Sequence, residues 1–226
     1  MRKLNRPPKA PRCLAKCDYK KHKWGQRFPR YKKDIWEQLD VMHDGFCAYC
    51  EALLVEDNKH IEHFFRKGEM PDGTAPYKHL TFDWNNLFGS CGKDNSDTCG
   101  HYKDREGPKG PKGPGAYDPR DLIKPDIEDP RDFLTFQNTG IVEPKIGLSD
   151  ENLKRATETI RVLRLDFPAL NGVRETQIKI FKKNLDNLAL LSSELDDENL
   201  FNERENIKRE AAQSEFQTAI LDALGL

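Results

Sequence analysis

Four cysteines, Cys47, Cys50, Cys91 and Cys99, bracket the part of the chain whose residue types can do chemistry. Between and just after them stand Glu62-His63, Asn86 and His101. Cys47-Ala-Tyr-Cys50 is a knuckle with a two-residue gap, the spacing that lets two thiolates reach one tetrahedral ion. Cys91 and Cys99 enclose seven residues, more than a standard zinc ribbon has, but the insert GKDNSDT is rich in turn formers and can bulge while both sulfurs converge. The pattern predicts a structural zinc rather than four buried free thiols. Cys13-Leu-Ala-Lys-Cys17 has a three-residue gap and no partner pair, and is not read as a site. A carboxylate, imidazoles and an amide are groups that hold a second, divalent ion, and a neutral histidine is a competent base for water.

These residues must be positioned by short elements. HIEHFF reads as a strand, so Glu62 and His63 leave it on opposite faces. Leu80 to Leu87 leads into a helix or turn. Residues 33–44 place Ile35, Trp36, Leu39 and Met42 at helical spacing and stop before Gly45. In residues 133–145, alternation interrupted by Asn138-Thr139-Gly140 predicts a hairpin. Ser149 is a good N-cap, with Asp150 and Glu151 where a helix dipole favours acids, and a further helix is expected over about 172–191. The organisation expected is α+β: a basic arm (1–33) broken by Pro7, Pro8, Pro11 and Pro29, a cysteine-bearing core (34–104), a Gly/Pro-rich PPII-like loop (105–121), and a hairpin plus helical C-terminal region (122–226).

Charge is unevenly spread. The net charge of −1 over 226 residues hides thirteen Lys/Arg against one acid, Asp18, in residues 1–33, while residues 149–226 carry eleven basic and fifteen acidic residues. A basic arm on a near-neutral body suggests a phosphate-rich partner. Its Tyr19, Trp24, Phe28 and Tyr31 either anchor the arm or stack on bases. Lys67, Lys103 and Arg105 are candidate phosphate contacts. His22 reads as a solvated member of the arm, His43 as a helix-end residue, and His60 and His79 as surface residues near the cleft. No apolar run reaches membrane-span length and no signal-peptide core is present, so a reducing cytoplasm is expected, where cysteines favour metal over disulfides.

The order base histidine, asparagine, histidine around a cysteine knuckle resembles the HNH endonucleases, whose ββα-metal motif runs as (D/E)H…N…H with a supporting zinc. Residues 46–104 carry that likeness. FCAYCE, IEHFFRKG, LTFDWNNLFGSC, CGHYKD and DPRDFLTFQNTGIVEP are similar to the PtuB-type HNH proteins of Septu and retron-associated anti-phage systems, which work beside a PtuA-type ATPase. This broader likeness covers about residues 33–175. It implies a zinc-stapled ββα-metal core followed by a small hairpin and helices, and metal-dependent hydrolysis of phosphodiester bonds in DNA or RNA. It implies His63 as general base, Asn86 as the residue that orients the motif or helps hold the catalytic Mg²⁺ or similar cation, and His101 as a ligand of that cation. Glu62 falls at the acidic position, where aspartate is common. The alternative is a zinc-containing nucleic-acid-binding or adaptor module without cleavage; the intact Glu62, His63, Asn86, His101 set argues against it.

Overall fold

The computed structural model describes residues 1–26, 28–69, 73–93, 96–105 and 113–226, with backbone alone at 26 and 28–30. The Phe28 side chain, two residues of the Cys91–Cys99 insert and residues 106–112 of the Gly/Pro-rich loop lie outside that description. The fold is α+β, with small two-stranded sheets and helices.

The helix predicted at 33–44 is longer: α1 runs Phe28–His43 and buries Ile35, Trp36, Leu39 and Met42. Strand β1 (Lys59–His63) pairs antiparallel with β2 (Leu87–Cys91), matching Lys59 with Cys91, Glu62 with Phe88 and His63 with Leu87. Helix α1 lies on this hairpin through Trp36. A Cβ on Gly89 would come 2.9 Å from the indole, so only glycine lets the helix sit that close to β2. The short helix α2 (Cys99–Lys103) follows.

The hairpin expected around Gly140 is present as β3 (Leu134–Phe136) and β4 (Val142–Pro144). Ser149 caps α3 (Asp150–Leu163), its hydroxyl accepting from the Asn152 amide at 3.3 Å. Then come α4 (Pro168–Leu190), α5 (Asp197–Ala211) and α6 (Gln217–Leu224). Helix α4 begins earlier than the apolar spacing suggests, because Pro168 sits in the first turn, where its missing N–H costs nothing.

The basic N-terminal segment is not simply extended from the body. Met1, Leu4 and Leu14 are buried in the core, and part of the positive charge points inward. Arg6 donates to Asp126 at 2.6 Å and to the Trp84 and Leu87 carbonyls at 2.6 and 3.0 Å, and stacks on Trp84 and Phe88. It thus ties the segment to the start of β2. Among the described residues, no helix is long and apolar enough to cross a membrane.

Candidate functional site

The cysteine group assembles from three elements. The knuckle supplies Cys47 and Cys50, the end of β2 supplies Cys91, and the start of α2 supplies Cys99. All four sulfurs lie within 4.8 Å of one another, and none is in a disulfide. Cys47–Cys99, Cys91–Cys99 and Cys50–Cys91 separations are 3.9, 3.8 and 3.4 Å. Four sulfurs at Zn–S distances of about 2.3 Å in a tetrahedron stand about 3.8 Å apart, so the donor set fits zinc. Cys99 takes a left-handed backbone (φ 59°), a conformation that costs a non-glycine residue about 1–2 kcal/mol and is sustained where its surroundings require it. The Cys91 amide donates to Cys47 Sγ at 3.3 Å, a supporting contact of the kind that orients metal ligands. Burial works against the charged form, but hydrogen bonds from the neighbouring thiols hold the Cys47 thiol well below its usual range.

Adjacent to the cage, β1 presents two faces with different neighbours. On one, Glu62 and His60 meet α2. Glu62 Oε1 lies 2.8 Å from Lys103 Nζ, and Oε2 lies 3.4 Å from His60 Nε2. The His60 and His101 rings are 3.8 Å apart. Burial works against the Glu62 charge, but Lys103 and His60 hold its pKa below the ordinary value. Gly100 makes room for this carboxylate, since a Cβ there would fall 2.4 Å from Glu62 Oε2. Gly100→Ala is therefore expected to displace Glu62, costing about 1–3 kcal/mol by overpacking. A thermal melt reads the loss, and an unshifted melting temperature would show that the carboxylate has slack.

On the other face, His63 is 1% exposed and carries the Trp24 indole edge-on against it at 4.4 Å. His63 Nε2 lies 3.0 Å from the Thr81 carbonyl, a pairing that requires the proton on Nε2 and leaves a lone pair on Nδ1. Nδ1 is buried and meets no hydrogen-bond partner. Burial, with Lys67 adding to it, pushes the His63 pKa down to about 3. His43 is likewise buried and accepts from the Gly89 amide at 3.2 Å, and burial lowers its pKa to about 4.

Both histidines are neutral in the folded chain at pH values where an unfolded chain protonates them. Unfolded histidine takes its proton near pH 6.5, so the stability from neutral burial is full above that pH and is lost as pH falls toward 4. Between pH 7 and pH 5 a drop of about 2–4 kcal/mol is expected in urea unfolding, at roughly 1.4 kcal/mol per proton per pH unit. A flat profile across that interval would contradict it.

Asn86 is buried, and its amide is occupied by backbone. Oδ1 accepts from the Phe65 amide at 2.7 Å, and Nδ2 donates to the Phe65 and Leu80 carbonyls at 2.9 and 3.2 Å. Of the two roles the resemblance offered, these contacts match orienting the motif rather than holding an ion.

Two candidate phosphate contacts need correcting. Lys103 is 1% exposed, its ammonium held by Glu62, Asp104 and the His63 carbonyl, so it is an internal counter-ion. Arg105 donates to Asp97 at 2.9 Å and to the Ser96 carbonyl, which makes it a clasp for the insert before Cys99. Lys67 does line a cavity of about 360 Å³ beside Thr81, together with Lys20, Lys21, Lys23, Lys78 and Trp24. Sequence reading missed Lys78 there, because nothing local marks it as a neighbour of residues 20–24.

Two curated proteins share extended similarity with the chain. Septu protein PtuB of Bacillus mycoides (strain KBAB4) is 33% identical over 149 residues, which is 61% of this chain and 49% of that protein. The resemblance to PtuB-type HNH proteins holds. The retron Ec83 putative HNH endonuclease of Escherichia coli is 29% identical over 182 residues, 70% of this chain and 67% of that protein. The chain thus spans about half the length of PtuB and two thirds of the retron protein. No protein-family model matches it. The chain is thus similar to a protein named for the Septu system and to one named as a putative HNH endonuclease of a retron.

Proposed function

We propose that this chain is a metal-dependent HNH endonuclease that hydrolyses phosphodiester bonds in nucleic acid, as an effector of anti-phage defence working with a PtuA-type ATPase. The observation that carries the reading is His63, with Nε2 fixed on the Thr81 carbonyl, Nδ1 without a hydrogen-bond partner, and two neighbours, Thr81 and Trp24, that line a lysine-rich cavity. That is the arrangement of a general base for water next to a site for phosphate charge.

In this reading β1, β2 and α2 form the ββα-metal unit, and the zinc held by Cys47, Cys50, Cys91 and Cys99 has a structural role alone. His63 takes the proton of the attacking water. Thr81 keeps the imidazole in the tautomer whose Nδ1 can do so. Asn86 fixes the segment that follows the base, through both backbone groups of Phe65. Glu62 and His101 would hold a divalent cation, which supplies charge stabilisation at the phosphate and the departing oxygen. Lys20, Lys23, Lys67 and Lys78 draw in the polyanion. His63 is buried with Trp24 edge-on against it, so in this reading the imidazole has to be uncovered before substrate reaches it. Consecutive residues leave a strand on opposite faces, so the scissile phosphate must straddle the end of β1.

The test is cleavage of single- and double-stranded DNA and RNA by the zinc-loaded chain, alone and with its ATPase partner, in Mg²⁺ or Mn²⁺ against a sample without added divalent cation. Scission that depends on the added cation supports the reading. Binding without scission in any condition would replace it with the adaptor module.

A further inference from the structure

We infer that the lysine-lined cavity beside Thr81 receives one unpaired nucleotide of the substrate strand, its phosphate on the lysines and its base on Tyr19 and Trp24. The chain then takes nucleic acid that is single-stranded where it enters the site. The inference rests on the reading above that nucleic acid is the ligand, and names the class of that ligand.

The first observation is charge without compensation. Among the described residues, the cavity of about 360 Å³ is lined by Lys20, Lys21, Lys23, Lys67 and Lys78 and by no acidic side chain. Burial pushes the Lys67 pKa down, as it does for a cation that water solvates poorly, so an incoming anion relieves it. The one acid of the basic segment, Asp18, is engaged in building the turn that carries three of these lysines. Its carboxylate accepts from the Lys20 amide at 2.9 Å, its carbonyl from the His22 amide at 2.8 Å, and its own amide donates to His22 Nδ1 at 3.0 Å. Its other oxygen stands 3.8 Å from Lys21 Nζ, both side chains being exposed, a weak pairing. The turn thus holds the lysines in place before a ligand arrives, which lowers the ordering cost of binding.

The second observation is the company of the lysines. Tyr19 and Trp24 line the same cavity, and both are half-buried. Cations and aromatic rings in one concavity are the two halves of single-strand recognition, the first for the backbone and the second for unstacked bases. Bases of a duplex are already stacked and paired, so rings recessed in a small cavity have no base to meet. A volume of about 360 Å³ lies at the small end of the roughly 300–1,000 Å³ of single-ligand sites, which suits one nucleotide and excludes a double helix. The cavity also adjoins the proposed base. Trp24 lies edge-on to His63 at 4.4 Å, and the Thr81 carbonyl lies 3.0 Å from His63 Nε2.

The experiment is fluorescence anisotropy of a short labelled oligonucleotide, single-stranded or annealed to its complement, titrated with the zinc-loaded full chain without added divalent cation. An electrostatic patch alone would favour the duplex, whose denser charge releases more counterions. The cavity predicts the reverse, with the single strand held about 5–100-fold more tightly, the range that one base on an aromatic ring contributes. Lys78 is exposed, so Lys78→Ala removes no core contact. In that variant the salt dependence of single-strand binding should lose a slope of about 0.7, one phosphate contact, while duplex binding stays at the wild-type value. Trp24→Ala should erase the preference for the single strand. Duplex binding equal to or tighter than single-strand binding would overturn the inference and leave the nuclease reading standing. A nucleoside monophosphate that binds as tightly as the strand would also overturn it, assigning the cavity to a free nucleotide. The single-strand preference without scission under any metal condition would keep the inference and remove the nuclease reading. A chain that binds neither form would sink both.

Discussion

Replacing His63 with alanine is expected to lower the cleavage rate by about 10²–10⁴-fold, the range a positioned general base contributes. Nucleic-acid affinity should change by no more than about threefold, because the lysines around the neighbouring cavity remain. The split between rate and affinity is what separates a base from a binding residue. His63 contributes one bare nitrogen, Nδ1, and its other nitrogen is committed to Thr81. Removing the ring also empties a buried space under Trp24, so the melting temperature should fall as well, in proportion to that cavity. Single-turnover cleavage and filter binding on the same preparation, with a melt as control, read all three quantities. A variant that cleaves at the wild-type rate would remove His63 from the chemistry.

Removing one zinc ligand should have the largest effect on stability. Cys47→Ser is expected to abolish stoichiometric zinc and to cost several kcal/mol, a large share of the roughly 5–15 kcal/mol that holds a domain of this size. Cys47 is 2% exposed, touches Cys99 and receives the Cys91 amide, so the loss spreads to the end of β2 and the start of α2. Elemental analysis and chemical denaturation check this. Cys13→Ser provides the contrast, because Cys13 lies outside the cage and its loss should leave zinc content unchanged. Equal zinc in Cys47→Ser and wild type would mean that the cage does not hold the ion.

What could be read from the sequence was whatever local spacing encodes. The two-residue gap of Cys47 and Cys50 announces a shared ion, and Cys91 and Cys99, on either side of the turn-rich insert, join the same cage. HIEHFF announces a strand, and Asn138-Thr139-Gly140 a hairpin, because alternation and turn chemistry are properties of neighbours in the chain. β2 escaped notice because LFGSC is short and interrupted by glycine, and its role as partner of β1 follows from packing under Trp36. Lys103 and Arg105 looked like solvent-facing cations because a lysine between Tyr102 and Asp104 carries no local sign of burial. Only the arrival of Glu62, forty-one residues earlier, makes Lys103 an internal counter-ion. Trp24 over His63 is the same case: a contact between the basic segment and β1 that no window of sequence contains.

The residue after the knuckle, Glu51, also joins parts of the chain that are far apart in sequence. One carboxylate oxygen lies 2.5 Å from the Met1 amino group, the other accepts from the Thr218 amide at 2.9 Å, and its carbonyl accepts from Phe216 at 3.2 Å. Glu215 in turn accepts from the Leu53 amide at 2.6 Å. The start of α6 is therefore clipped to the loop that carries Cys50, so the zinc knuckle and the C-terminal helix share one opening event rather than fraying separately. A protein that grips the C-terminal helices would pull, through this clip, on the backbone next to a zinc ligand. Tension at the far end of the chain thus has a mechanical path to the elements that hold Glu62 and His101.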